Sequence, residues 1–221
     1  MARTLAQFHT LVSNTINRGT TFDSVIPDYV RMAIRVLERE QSFEYMLREE
    51  VSFTITDGTR TYGASDFVST GGIIKKINYW RIVDDNSDYH YIEQIDAMES
   101  VQVEEDRPSA FWTRVTPVAT DVETIQLVTM EEPDEDYTTE ISWYEYTVWA
   151  TGYATIFPWL VNNAEDVLLA QTMLEMKERL RLDEKQLAGW QLIRSEGLSG
   201  LVTAETEKQN AGAVRMGYGW G

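Results

Sequence analysis

Residues 137–149 read YTTEISWYEYTVW. Side chains alternate along them with a period of two, so Ile141, Trp143, Glu145 and Thr147 share one face, and Ser142, Tyr144, Tyr146 and Val148 the other. β-branched and aromatic residues dominate, as suits a pleated strand. At both ends of the chain the apolar residues recur instead every three to four positions. This change of period decides the fold class.

The strand signal extends back to about residue 50. Val51, Phe53 and Ile55 alternate with polar residues, and Asp57-Gly58 is a hairpin-type turn. Ile73–Val83 is a strongly apolar strand preceded by Gly71-Gly72. Asp84-Asp85-Asn86-Ser87 reads as a turn into Tyr89 and Tyr91, and 93–102 (EQIDAMESVQ) as a short helix. Phe111–Val115 and Ile125–Val128 read as further strands. Such strands joined by short turns predict an antiparallel sheet or small sandwich.

The flanks are helical. Leu5, Phe8, Leu11, Val12 and Ile16 predict a helix over 4–17, stopped by Asn17-Arg18-Gly19 with Gly19 in the left-handed cap conformation. Residues 20–23 form a loop, Asp23 or Ser24 caps a second helix, and Pro27 suits its first turn. Tyr29, Met32, Ala33, Val36 and Leu37 form its expected buried stripe, and Phe43, Tyr45, Met46 and Leu47 predict that it continues or is followed by another helical turn. Trp159–Leu182 reads as one helix carrying Val167, Leu168, Met173, Leu174 and Leu180. Asp183 caps the next, with Leu187, Trp190, Ile193, Leu198 and Leu201 along it. The expected class is α+β: N- and C-terminal helices packed as a bundle, with an antiparallel β-sheet or sandwich inserted between them. The parts are N-terminal helices over 1–49, the β region over 50–150, C-terminal helices over 151–205 and a flexible tail over 206–221. That tail holds Gly212, Gly217, Gly219 and Gly221, yet also Val214, Met216, Tyr218 and Trp220. It fits either an anchor that orders on a partner or a frayed terminus.

Composition narrows the chemistry. The 221 residues contain no cysteine, which removes disulfides, thiolate metal sites and cysteine nucleophiles. The two histidines, His9 and His90, sit in no metal motif. With 36 acidic against 19 basic residues the net charge is −17, the wrong sign for gripping phosphates or an anionic membrane. The same sign suits a passage through which DNA slides without sticking, and it also serves plain solubility. No apolar run is long enough to span a bilayer and the start has no signal-peptide pattern, so a soluble, cytosol-made protein is expected. No GxxxxGK[ST], GxGxxG before a helix, or GxSxG occurs; Gly63-Ala64-Ser65-Asp66 shares only the beginning of the last. The run Glu131-Glu132-Pro133-Asp134-Glu135-Asp136 lacks calcium-loop spacing and reads as a solvated loop, as does Glu104-Glu105-Asp106. No motif singles out a carboxylate pair for hydrolysis, and Glu49 and Glu50 read as surface residues at a helix end. Tyr79, Trp80, Tyr89, Tyr91, Phe111, Trp112, Trp143, Tyr144, Tyr146 and Trp149 crowd the β region, fitting a core or subunit interface, or a sugar platform. No catalytic, cofactor-binding or metal residue is assigned.

Four segments in order carry a resemblance. They are Ile26-Pro27-Asp28-Tyr29-Val30 leading through Ala33–Leu37 to Glu38-Arg39-Glu40, and Arg107-Pro108-Ser109-Ala110-Phe111-Trp112 at the start of a strand. Next come Ile125-Gln126-Leu127-Val128 with Glu132-Pro133-Asp134, Tyr137 and Trp143-Tyr144-Glu145-Tyr146. The most specific is Trp159-Leu160-Val161-Asn162-Asn163-Ala164-Glu165-Asp166, opening a long helix, with Trp190 later. Together, over roughly 4–205, they resemble the head-to-tail adaptor (connector) proteins of short-tailed bacteriophages. The segment ASDFVSTGG at 64–72 departs from the family's Leu-Pro-x-Asp-Phe pattern but keeps Asp66-Phe67. The resemblance implies a structural virion protein of the neck and not an enzyme. It implies a homo-oligomeric ring of about twelve subunits between portal protein and tail nozzle, with DNA passing unbound. It also implies that the tail carrying Val214, Met216, Tyr218 and Trp220 reaches to the portal. The rival readings are a tail-associated peptidoglycan hydrolase, a glycan-binding tail module, and another ring component such as a neck completion protein.

Overall fold

The computed structural model describes residues 3–67, 73–83, 88–96, 106–117, 123–147 and 159–216. Gly71-Gly72, the turn at 84–87, residues 97–102 of the expected short helix, Val148, Trp149, Tyr218 and Trp220 lie outside the described residues. Helices α1 (Leu5–Ile16) and α2 (Ile26–Glu40) come first. Strands β1 (Leu47–Ile55) and β2 (Thr61–Gly63), the single-turn helix α3 (Ala64–Phe67), and strands β3 (Ile73–Val83), β4 (Tyr89–Tyr91), β5 (Glu93–Gln94), β6 (Ala110–Pro117), β7 (Glu123–Thr129) and β8 (Tyr137–Tyr146) follow. Helices α4 (Trp159–Asn163), α5 (Glu165–Glu175), α6 (Lys177–Leu180) and α7 (Glu184–Met216) complete the order. The class is α+β, and the chain divides into two compact units: Met1–Tyr45 with Trp149–Gly221, and Met46–Val148.

In the helical unit, α1 starts at a capping box. The Thr4 N–H donates to Gln7 Oε1 at 2.7 Å and the Gln7 N–H to Thr4 Oγ1 at 3.1 Å. Its left-handed cap is Asn17 (φ 50°), not Gly19, although Gly19 is also left-handed (φ 61°) and opens a 3₁₀ turn, Gly19–Phe22. Asp23 does not cap α2; its carboxylate accepts the Ser13 hydroxyl at 2.7 Å, and α2 starts from Val25 with Pro27 in its first turn. The buried face of α2 is Ile26, Val30, Ala33, Ile34, Leu37 and Glu38, so the expected stripe is rotated and Met32 stands 50 % exposed. Apolar residues on α2 cover more than one face, and the polar Glu38 completes the face that packs. Its buried carboxylate accepts the Tyr45 hydroxyl at 2.9 Å and Arg35 at 3.5 Å.

The expected helix over Trp159–Leu182 is broken into three, at Ala164 (φ −143°) and at Met176. Neither break has a glycine or proline, and the Ala164 and Met176 N–H groups still donate to Leu160 and Thr172 carbonyls at 2.9 and 3.0 Å. At the preceding turn, Trp159 stacks on Tyr45 (centroids 5.7 Å apart) and Phe43 (5.9 Å). Helix α5 packs against both α2 and α7 and buries Val167, Leu168, Ala170, Gln171, Thr172 and Met173.

In the β unit, two four-stranded sheets have the orders β1-β8-β3-β4 and β2-β7-β6-β5. β8 is internal, antiparallel to β1 (Val51 opposite Ile141) and to β3 (Trp80 opposite Ile141). Both of its faces are covered at Ile141, Ser142, Trp143 and Tyr144, so the alternation marks direction but not exposure. The core combines both sheets: Ile55, Trp80, Ile82, Ile141 and Trp143 from the first, Tyr62, Phe111 and Leu127 from the second, with Phe67 of α3.

Two expectations are corrected here. Gly58 has the positive φ (69°) the turn signal implies, but the flanking strands do not pair with each other. β1 joins β8 and β2 joins β7, in different sheets. The turn is held by the loop after β7: the Asp57 N–H donates to Asp136 at 2.9 Å and the Gly58 N–H to the Pro133 carbonyl at 2.9 Å. Glu93 and Gln94 are strand rather than helix, paired parallel to β6, with the Glu93 and Ile95 N–H groups donating to Ser109 and Phe111 carbonyls at 2.8 Å.

Candidate functional site

The C-terminal helix is built from its cap upward. The Gln186 N–H donates to Asp183 Oδ1 at 2.8 Å and the Asp183 N–H returns to Gln186 Oε1 at 3.1 Å, as the sequence predicts for Asp183. From there α7 runs 33 residues to Met216. The expected flexible tail over 206–221 is therefore helical as far as Met216. Ala, Glu, Lys, Gln and Met are good helix formers, and Gly212 alone costs only about 1 kcal/mol. Val214 and Met216 fall within α7; Tyr218 and Trp220 lie outside the described residues.

α7 is anchored at two points. A Cβ on Gly197 would lie 2.5 Å from Val167 Cγ2, so the α7 backbone there rests directly on the Val167 side chain of α5. Arg194 donates to Gln171 of α5 and pairs with Glu40 of α2. The inward row is thus Leu187, Trp190, Arg194, Gly197, Leu198 and Leu201, whose three-and-four spacing was visible in the sequence but masked by a charge and a glycine. Ile193, expected in the stripe, is 41 % exposed, and Leu192 beside it 57 %.

The β unit presents a second surface at its β4 edge. Tyr89 and Tyr91 are exposed there. The Arg81 guanidinium lies 3.8 Å from the Tyr89 ring centroid and 5.0 Å from that of Tyr79, and pairs with Glu140 at 2.5 Å. Burial works against this charge, but the bonds to Glu140 and Tyr91, with the nearby Tyr79, together outweigh it and hold the guanidinium still more firmly protonated than usual. Beside it opens a cleft of about 510 Å³ lined by Ile82, His90, Asp106, Arg107, Asp136 and Tyr137. The sequence signal for this cluster, a lone arginine before a Tyr-x-Tyr strand, was too weak to single out.

The acidic and aromatic candidates of the sequence have structural partners here. The acidic run after β7 ties turns together: Glu131 accepts the Ser109 hydroxyl at 2.6 Å and its N–H at 2.9 Å, and Asp134 accepts the Tyr137 hydroxyl at 2.5 Å. Burial pushes the Glu131 carboxyl up, but these bonds outweigh it and hold it below the usual range, opposite to what a general acid needs. Glu49 and Glu50 lie in β1, not at a helix end. Trp80 and Trp143, candidates for a sugar platform, are core residues. His9 belongs to the helical unit and His90 to the β unit. Among the described residues no group of His, Asp and Glu converges to hold a metal ion, and no helix is long and apolar enough to cross a membrane.

The chain is thus a two-unit α+β protein with exposed apolar side chains on its helical unit and exposed tyrosines at its β4 edge. The chain belongs to the SU10 adaptor protein family, whose profile matches residues 3–217. It is a phage head-to-tail adaptor, a virion structural protein, as the four segments implied. Among curated proteins none matches the chain.

Proposed function

We propose that this adaptor acts as a closed ring of about twelve copies, joined to the portal protein on one side and the tail nozzle on the other, with DNA passing through unbound. Family membership over 3–217 carries the reading. The charge of −17 per chain supports the DNA passage, since an acidic wall repels phosphate and lets the duplex slide. The adaptor works by contact alone, without a catalytic group or cofactor. The segment carrying Val214, Met216, Tyr218 and Trp220 is the proposed portal anchor. Repetition around a ring makes weak single contacts firm together.

Native mass spectrometry of the chain with the portal ring of its own phage tests this. Stoichiometric uptake is expected and gives the subunit number directly. No uptake, with both partners folded, removes the portal-docking role and points to a component further down the tail. Deleting 211–221 is expected to leave the chain folded and weaken uptake; unimpaired uptake removes the anchor.

A further inference from the structure

In the helical unit, α5 lies between α2 and α7, packed against both. Its buried residues leave α2 and α7 as flanks. The α2 row opposite its buried face is Asp28, Met32, Arg35 and Arg39, spaced four, three and four. The α7 row opposite its inward face is Lys185, Leu192, Glu196 and Thr203, with Ile193 beside it. Met32, Leu192 and Ile193 are the exposed large apolar residues of this unit among those described.

The two flanks also run in the same sense. α7 is antiparallel to α5, because Gln171 meets Arg194 while Val167, earlier in α5, meets Gly197, later in α7. α2 is antiparallel to α5 as well: Arg179, beyond the end of α5, lies 5.8 Å from the Tyr29 ring near the start of α2, while Arg194 joins Gln171 to Glu40 at its end. The Glu40–Arg194 pair sets Arg39 at about the height of Leu192 and Ile193. Side by side and parallel, the flanks match in charge: Arg39 falls towards Glu196, and Asp28 towards Lys185, with apolar side chains between. Antiparallel, the same rows oppose Arg39 to Lys185 and Asp28 to Glu196.

We infer that the α2 flank of one copy docks on the α7 flank of the next, a heterologous contact between copies of this chain with an Arg39–Glu196 ion pair and an apolar centre of Met32, Leu192 and Ile193. The inference rests on the ring reading and names the surfaces that close the ring. Rotation about an axis parallel to these helices preserves their direction, so in a ring with such an axis each copy offers its neighbour a parallel partner at the same height.

The chain's lack of cysteine permits a direct test. Arg39→Cys and Leu192→Cys are placed together, and each alone, in the full chain, assembled on the portal ring and treated with a short bismaleimide. The double variant is expected to give a ladder of covalent multiples and each single variant only monomer. Dimers from either single variant, or no ladder from a double variant that still joins the portal, overturn the inference and leave the ring reading standing. A wild-type chain that forms no ring on the portal overturns both. A charge swap gives an independent arm: Arg39→Glu or Glu196→Arg is expected to lower ring formation, and the two together to restore it. Loss in the combined variant equal to the product of the single losses, with folding intact by circular dichroism, overturns the ion pair.

Discussion

The helical unit joins the two ends of the chain, whereas the β unit is one continuous run, Met46–Val148. Their interiors differ accordingly. The helical core is mainly aliphatic, with Leu5, Val12, Ile26, Ile34, Leu37 and Leu168 buried. It is tied across long sequence distances by Arg3 with Glu165 at 2.7 Å, the Arg18 guanidinium to the Leu180 carbonyl at 3.0 Å, and Arg194 with Glu40. The β core is a chain of rings: Trp80 meets Phe53, Tyr62 and Phe111, and Phe67 meets Trp143, all with centroids 5.2–5.9 Å apart. The helical unit buries a carboxylate, Glu38; among the described residues, the polar residues buried in the β unit are the neutral Thr129, Thr139 and Ser142. Stability in the β unit is therefore concentrated in a few large side chains. In the helical unit it depends on many small contacts and on closing a long loop.

The largest test of this contrast is Trp80→Ala. Its side chain is fully buried among three rings, so the β unit is expected to lose about 3–5 kcal/mol. Urea unfolding followed by amide exchange reads both units separately. A loss below 1 kcal/mol, or one spread evenly over both units, breaks the idea of a concentrated aromatic core. The next effect belongs to the helical unit. Tyr45→Phe deletes the hydroxyl that donates to the buried Glu38, and about 1.5–3 kcal/mol is expected from losing a hydrogen bond to a charged group. An unchanged urea midpoint would mean that the carboxylate is satisfied without the Tyr45 hydroxyl.

Smaller and opposite in sign are two glycines three positions apart on α7. Gly200 faces open space, so Gly200→Ala is expected to gain up to about 1 kcal/mol of helix propensity. Gly197→Ala gains the same propensity but drives a methyl into Val167, whose branched side chain has little freedom to yield, and a net loss of about 1–3 kcal/mol is expected. Equal melting shifts for the two variants would remove the close α5–α7 crossing.

These positions also show what was legible in the sequence. The switch of period at 137–149 and in its flanking strands gave the α+β class, because binary pattern is a local property. Pairing is not local. Asp57-Gly58 announced a turn, but nothing nearby says that β1 goes to β8 and β2 to β7. Burial of polar residues is equally hidden: Glu38 on the packed face of α2, and Arg194 with Gly197 on that of α7, made hydrophobicity choose the wrong stripe at Met32 and Ile193. The breaks at Ala164 and Met176 carry no punctuating residue at all. Of the expected anchor, Val214 and Met216 joined a helix because one glycine among good helix formers is a weak stop. The surfaces argued from the structure rest on exposure, which no periodicity gives when a helix is apolar on more than one side.

The smallest expected effect separates the units by pH. Burial, aided by the Arg31 charge, holds the His9 imidazole below its usual 6.5. The unfolded chain then takes up the proton first as pH falls, so the contribution of His9 is fully present above 6.5 and is lost as pH drops from there towards the folded value. In the β unit, Glu131 is held below its usual 4.5, so its contribution is full above 4.5 and disappears as pH falls through the lower folded value. Acidification is thus expected to weaken the helical unit first and the β unit only later. The check is unit-resolved amide exchange between pH 7.5 and 3.5. His9→Gln should flatten the first loss and leave the second, and Glu131→Gln should flatten the second and leave the first. Simultaneous weakening of both units, unchanged by either substitution, would mean that neither group sets the acid response and that the two units unfold as one.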